Sequence, residues 1–470
     1  MKMQRLITGL MGSALIAFPG VAFAANQTPN NEITSGGSAL VIDNIVCKGN
    51  DTTDCDFITK KYYQAKGDVL DPSEIADAKL RLGTLIQFRD VDIHLEKGHK
   101  RDHVIVVFDI TEASNIQWEV GAGLHRSNQD SNSAQCYKSY YNTGNVCFDQ
   151  SGQSDSLGLT TTVTDFNFLG SGKRLSIGIT ASKYDSETQV DYFASNGSLP
   201  ANAPLSYSAD NDSHGYGFNV TYYDPHLFDS THYYLRSNLG RFGSSSDTIN
   251  IINMPDNLSV TRESQSRSHS WSWGVETGRR FASHSFVALN VNKTFPGTAS
   301  FTDDSDNQTV SIDQPDSTNI GVSYGWDSQN DTLFPTQGSY FSTSYNHSNS
   351  NGSSDALSMN YLQHFSWQDK TVLSLGGGVS ANRFAYRGFE TIPSTRSVHT
   401  SLKARLTSIN SIDQANGIYS GWHGELNLSK TDYESAPDND ISLNLQAGYT
   451  YQSDSMIYRF TLGYNTRESL

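Results

Sequence analysis

Cysteine is scarce in this chain of 470 residues, with four in all, too few for a scaffold built on disulfides. Basic residues are short as well. Lys and Arg number 33 against 49 Asp and Glu, giving a formal net charge of -16 and a pI of about 5.2. An electrostatic nucleic-acid binder needs a basic face, so that class is excluded. Beyond residue 24 no apolar run reaches about 18 residues, which excludes helical membrane spans. A mature chain resident in a membrane would have to cross it as a closed barrel. What is abundant is polar and aromatic: 38 Gly, 24 Tyr and 22 Phe, with a mean hydropathy of -0.48. So many aromatic side chains argue against disorder.

Lys2 and Arg5 precede an apolar stretch from Leu6 to Phe18, and Ala22-Phe23-Ala24 supplies a small-residue cleavage pattern. Residues 1–24 therefore read as a secretory signal peptide. Pro19 and Gly20 break the run short of the roughly 20 residues an anchor helix needs. Export to an oxidising space favours disulfides. Four cysteines permit three pairings, and the short separations favour Cys47 with Cys55 and Cys136 with Cys147. C-x₇-C and C-x₁₀-C are not zinc spacings and no His pair accompanies them. No metal, cofactor or catalytic constellation is expected.

Residues 25–37 form a Gly/Ser/Asn/Thr-rich linker, and residues 38–114 a compact α+β segment. Ala39 to Val46 reads as a strand. Asp54 stands where it could cap a helix bearing Phe57, Ile58, Tyr62 and Ala65, with Gly67 as its terminator. Asp71-Pro72-Ser73-Glu74 resembles a capping box with Pro at the first helical position. The helix it opens puts Ile75, Ala78, Leu82, Leu85 and Ile86 on one stripe. Phe88 to Leu95 alternates cleanly, and Val104 to Ile110 is denser in apolar residues. The order is β-α-α-β-β, a sheet that both helices must cover.

From residue 115 to 470 the helical period gives way to amphipathic strands. Ile116, Trp118, Val120, Ala122 and Leu124 alternate with Gln117, Glu119, Gly121 and Gly123, and Val398, Leu402, Ala404 and Leu406 oppose His399, Ser401, Lys403 and Arg405. Met456, Tyr458, Phe460, Leu462 and Tyr464 make a last stripe. Strands of about ten residues with aromatics near their ends are the pattern of a transmembrane antiparallel β-barrel. Short turns fall at 170–172, 225–229, 282–284, 367–370 and 452–454. Long polar loops are expected at 127–156, 187–211 and 244–266. About fifteen strands are visible. An even number follows if both termini face the periplasm, so 16 strands are expected. The membrane would then separate the first cysteine pair from the second.

Ala385-Tyr386-Arg387-Gly388-Phe389-Glu390 falls in an expected outer loop late in the barrel. Coming after a β-α-α-β-β domain, it resembles the V-R-G-F/Y loop tip of the BamA/TamA and two-partner secretion superfamily of outer-membrane assembly and translocation barrels. Phe166 to Lys173 is similar to that family's N-L-F-G-x-G turn, Tyr223 to Phe228 to its D-P-x-L/F turn, and Thr332 to Gly338 to its F-P-T-x-G turn. The N-terminal domain looks like a single POTRA module. The resemblance implies that Arg387, Gly388 and Phe389 fold into the lumen, where Arg387 would pair with an inward carboxylate. Glu425, in Trp422-His423-Gly424-Glu425-Leu426, is the candidate partner, although this segment departs from the family's F-x-D-x-G strand. The chain also offers only one such module and ends Arg467-Glu468-Ser469-Leu470, without the usual C-terminal aromatic.

The implied function is polypeptide handling without chemistry: assembly, insertion or translocation of unfolded outer-membrane or secreted clients. The expected location is the outer membrane of a Gram-negative bacterium, with a periplasmic N-terminal domain and a monomeric barrel in contact with outer-membrane lipid. The alternatives are a passive porin, which has no need of the N-terminal domain, and a barrel enzyme such as a lipase or protease.

Overall fold

The fold is that of a computed structural model, which describes residues 40–469 other than 84, 86, 131–134, 139–144, 195–204, 231, 255–257, 282–284, 304–307, 330–334, 351, 368–369, 387–394, 414–417, 434–439 and 454. Val41 to Leu470 forms one compact unit. It begins with a small domain made of β1 (Val41–Lys48), α1 (Cys55–Thr59), α2 (Pro72–Gly83), β2 (Phe88–Lys97) and β3 (His103–Glu112). The sheet order is β1-β3-β2, with β1 parallel and β2 antiparallel to β3. The strand densest in apolar residues is thus the central one, buried on both faces. Ala78 and Leu82 of α2 are fully buried on this sheet, beside Phe57, Ile58, Tyr62 and Phe108.

Two helix expectations need correction. The first helix stops at Thr59 instead of running to Gly67, and Asp54 precedes it without a side-chain cap. The chain turns there, with the Lys61 and Tyr62 amides donating to Ile58 and Thr59, and this brings Tyr62 edge-on to Phe108 at 5.6 Å. At α2, Asp71 accepts from the Ser73 amide at 2.9 Å, as a cap should. Glu74, however, accepts from the Tyr63 amide and pairs with Arg81 instead of closing a capping box.

The rest is a closed barrel. Its lanes are β4 (Ile116–Asp130, continued by β5, Gln135–Lys138), β6 (Asn145–Phe168), β7 (Lys173–Ala194), β8 (Ser206–Asp224), β9 (Tyr233–Asn253), β10 (Ser259–Phe281) and β11 (Ser285–Pro296). The hairpin of β12 (Thr298–Asp303) and β13 (Gln308–Asp313) extends β11 and β14 (Ser317–Asp327). There follow β15 (Gly338–Asn349), β16 (Gly352–Ser366), β17 (Thr371–Tyr386), β18 (Thr395–Asp413), β19 (Ile418–Tyr433), β20 (Asp440–Gln452) and β21 (Met456–Ser469).

Among the described residues the barrel has 15 lanes, not the expected 16. Neighbours are antiparallel around the wall, but β21 pairs with β4 in parallel, from Met456 opposite Trp118 to Glu468 opposite Asp130. An odd number of alternating strands closes only through one parallel pair, whose slanted hydrogen bonds still leave no open edge. The even-number rule assumes that both ends of the barrel segment lie on one side. Here β21 runs away from the small domain, so Ser469 lies at the far end.

The expected long loops are also largely strand. β6 to β10 are 24, 22, 19, 21 and 23 residues long, whereas β14 and β15 have 11 and 12. At about 3.3 Å per residue and a tilt near 40°, a 22-residue strand rises about 55 Å, roughly twice the apolar band of a membrane barrel. One side of the wall therefore stands well clear of that band. Its ladder satisfies the backbone whatever the side chains, so Ser, Thr and Asp there give no apolar alternation to read.

The apolar faces point outward. On β19, Trp422, Leu426 and Leu428 are exposed while His423, Glu425 and Asn427 are half-buried. Trp118, Leu239, Trp273, Leu289, Ile320, Leu402 and Leu462 are likewise exposed on their strands. A contiguous apolar belt of this size is foreign to a water-facing surface and matches a hydrocarbon-facing one. Leu426→Arg is accordingly expected to destabilise the folded barrel in lipid by about 2–4 kcal/mol, and Asn427→Arg on the neighbouring inward position by far less. Urea unfolding in vesicles measures both.

Candidate functional site: the lumen and the seat of the small domain

Glu425 lies on the inward face of β19 and pairs with Lys403, at 2.8 Å. Arg405, directly opposite Glu425 in the β18–β19 ladder, shares this face, and its Nε is buried without a hydrogen-bond partner. Across the closing seam, inward-facing Arg459 of β21 pairs with Glu119 of β4 at 3.3 Å. The lumen wall thus carries a cation-rich strip around Glu425. Alternation alone places Lys403 and Arg405 on the inward face of β18, a signal from which Glu425's neighbours could have been read but were not. Arg387, Gly388 and Phe389 lie outside the described residues.

Cys47 and Cys55 form a disulfide that ties the end of β1 to the start of α1. Cys136 and Cys147 are register partners in the β5–β6 hairpin, with side chains outside the described residues. No group of three or more His, Cys, Asp or Glu is placed to hold a metal among the described residues.

A second feature went unread in the sequence: the small domain is seated on the barrel's near end through defined polar contacts. Glu112, at the end of β3, accepts from the Thr52 and Thr53 amides at 2.9 and 2.8 Å and holds the loop before α1. Asn167, almost fully buried at the end of β6, donates to Thr52 O and to Thr53 Oγ1, each at 3.0 Å, and accepts from the Gly172 amide at 2.9 Å. The Asp54 amide donates to Gly170 O at 2.9 Å. The F-N-F-L-G-S-G turn is therefore the socket for the small domain. Gly172 has φ +66°, and a Cβ there would fall inside the Phe57 ring, so glycine is required both by the backbone and by the contact.

The second socket is the turn after β8. Phe57 packs edge-on to His226 at 5.4 Å, and a cleft of about 280 Å³ opens beside them, bordered by Asp56, Lys60, Lys173 and Asp224. Burial drives the His226 imidazole far below its ordinary range, to about 3, with the charges of Lys61, Arg280 and Lys60 adding to the effect and Asp56 opposing it. In the unfolded chain the ring titrates near 6.5. Between about 6.5 and 3 the unfolded state therefore binds a proton that the folded state refuses, and stability is lost as pH falls through that window. His226→Phe is expected to flatten this slope, read as the pH dependence of protease resistance of the small domain.

These features define a closed, outwardly apolar barrel with a β-α-α-β-β domain fixed at one mouth. No family model matches the sequence, and no curated protein matches it. Among solved structures the chain is similar to BamA from Haemophilus ducreyi lacking POTRA domains 1-3, at 14% identity and a TM-score of 0.41, over 92% of this chain and 85% of that one. It is also similar to CdiB from Acinetobacter baumannii, at 8% identity and 0.41 over 88% and 70% of the two chains, and to CdiB from Escherichia coli, at 11% and 0.33 over 90% and 76%.

Proposed function

We propose that this protein is an outer-membrane barrel that assembles, inserts or translocates polypeptides, with residues 1–24 as its signal peptide, 25–37 as a linker and 38–114 as a POTRA-like periplasmic domain. The observation that carries the reading is the edge strand β2. Among the described residues it pairs only with β3, and its domain is fastened at the barrel mouth by Asn167, Gly170 and Gly172. An edge held there offers backbone donors and acceptors to an extended client at the point where it would meet the lumen or wall, which is binding by strand addition. The opposite edge is partly closed, because Val41 of β1 bridges to Val69.

In this reading the loop with Arg387-Gly388-Phe389 reaches into the lumen, and Arg387 competes with Lys403 for Glu425. A guanidinium gains a two-pronged hydrogen bond there that an ammonium cannot make. A photo-crosslinking side chain placed in turn at Arg89, Asp92, His94 and Glu96 along β2 tests the proposal in cells. Adducts to extended outer-membrane or secreted chains along β2, and none from exposed Asp77 of α2, are expected. Equal labelling at both, or wild-type behaviour after deletion of 41–112, would favour a passive pore.

A further inference from the structure

The base of the lumen gathers more positive than negative charge, with Glu276, opposite Arg236 in the β9–β10 ladder, as its inward carboxylate. Arg174 at the start of β7 lies against Phe166 and Tyr223, 5.2 and 5.6 Å from the ring centres. Arg236 lies 5.8 Å from the same Tyr223 ring. Arg280 lies over Tyr234 and donates to Pro225 O at 3.0 Å and to the Tyr223 hydroxyl. From the small domain above, Lys61 points in over Phe57.

The nearby carboxylates are engaged elsewhere. Asp56 pairs with Lys60 at 2.7 Å, Glu74 with Arg81, Asp224 with Lys173 at 3.6 Å, and Glu276 hydrogen-bonds Tyr234. Among the described residues none forms an ion pair with Lys61, Arg174 or Arg236. Beside them His226, over nine-tenths buried, has an Nε2 with no hydrogen-bond partner. Buried charge of one sign and an orphaned buried nitrogen are costly unless something neutralises them.

We propose that this junction is a binding site for a phosphate-type oxyanion, held by Arg174 and Lys61 with His226 Nε2–H as a third donor, and that the bound anion fastens the small domain to the barrel. Arginine held on aromatic faces keeps its donor fork free for such a group. The electrostatics agree. Burial, with the charges of Arg280, Arg174 and Arg81, brings the Lys61 ammonium down to about 7, so Lys61 gives up a proton near neutrality that a bound anion would restore. The groups facing Lys61 and His226 are Arg280, Arg174, Arg81 and Lys60, with Asp56 the one carboxylate acting on His226.

The inference does not depend on polypeptide handling. Its test uses the full chain in detergent at constant ionic strength, titrated with inorganic sulfate, which stays a dianion across the pH range. Saturable binding is expected, with a raised midpoint for thermal release of the small domain. Arg174→Gln should weaken it at least about tenfold, as loss of a charged hydrogen bond does, and Arg174→Lys should retain part of it. Wild-type affinity should fall by up to about tenfold per pH unit above about 7, and Lys61→Met should remove that dependence. Inorganic phosphate and short-chain phosphatidylglycerol, added as competitors, distinguish a free anion from a lipid headgroup. Absence of saturable binding, or binding unchanged in Arg174→Gln and Lys61→Met while both keep the barrel's heat-modifiable gel migration, overturns the proposal.

Discussion

Gly172→Val is expected to unseat the small domain while leaving the barrel closed. The residue adopts a left-handed backbone conformation, which costs a β-branched side chain about 1–3 kcal/mol. Its added carbons would also have to occupy the space of the Phe57 ring, an overpacking penalty of about another 1–3 kcal/mol. Phe57 cannot yield freely, because the same ring packs on His226 and Phe88 and belongs to the core of the small domain. The amides of Asp54 and Phe57 should then lose hydrogen-exchange protection, and trypsin should cut after Lys60 or Lys61. The heat-modifiable gel migration of the barrel should persist. Ser171→Ala, in the same turn, should leave all of these as in the wild type.

Glu425→Gln should have the next largest effect. It leaves Lys403 without its carboxylate and places Arg405 opposite a neutral group, in a strip that already includes Arg459. Removing one partner of a confined ion pair costs about 3 kcal/mol, the low end of the range, because Lys403 keeps contact with lumen water. Adding Lys403→Met should restore most of the loss. Urea midpoints of the two single variants and the double variant give the coupling directly. A double variant as unstable as the sum of the two singles would show that Glu425 acts through some other group.

Much of the architecture was legible because the physics is periodic. β2 alternates, β3 is a continuous apolar run, and the Ala78–Leu82 stripe recurs at helical spacing, so the β-α-α-β-β order follows from pattern alone. The outward apolar rows of β4, β18 and β21 were visible for the same reason. What eluded the sequence has no period. Strand above the apolar band is rich in Ser, Thr, Asn and Asp, with only scattered apolar residues such as Ile249 and Val260, and looks like loop. Fifteen lanes instead of 16 depend on how β21 meets β4, a pairing between ends of the barrel that no local pattern encodes. The seat of the small domain was visible as a glycine-rich turn, but its purpose required Thr52, Thr53 and Phe57 to be brought to it from 110 or more residues away.

The central claim is that the alternating rows divide hydrocarbon from a wet lumen, and spin labels at positions 422 to 428 of β19 test it most directly in reconstituted vesicles. Labels at Trp422, Leu426 and Leu428 should collide preferentially with oxygen, as in lipid, and those at His423, Glu425 and Asn427 with a water-soluble nickel chelate. Preferential access of the nickel chelate on both rows would mean that the apolar face meets water or protein instead of lipid, and would contradict a membrane-spanning barrel.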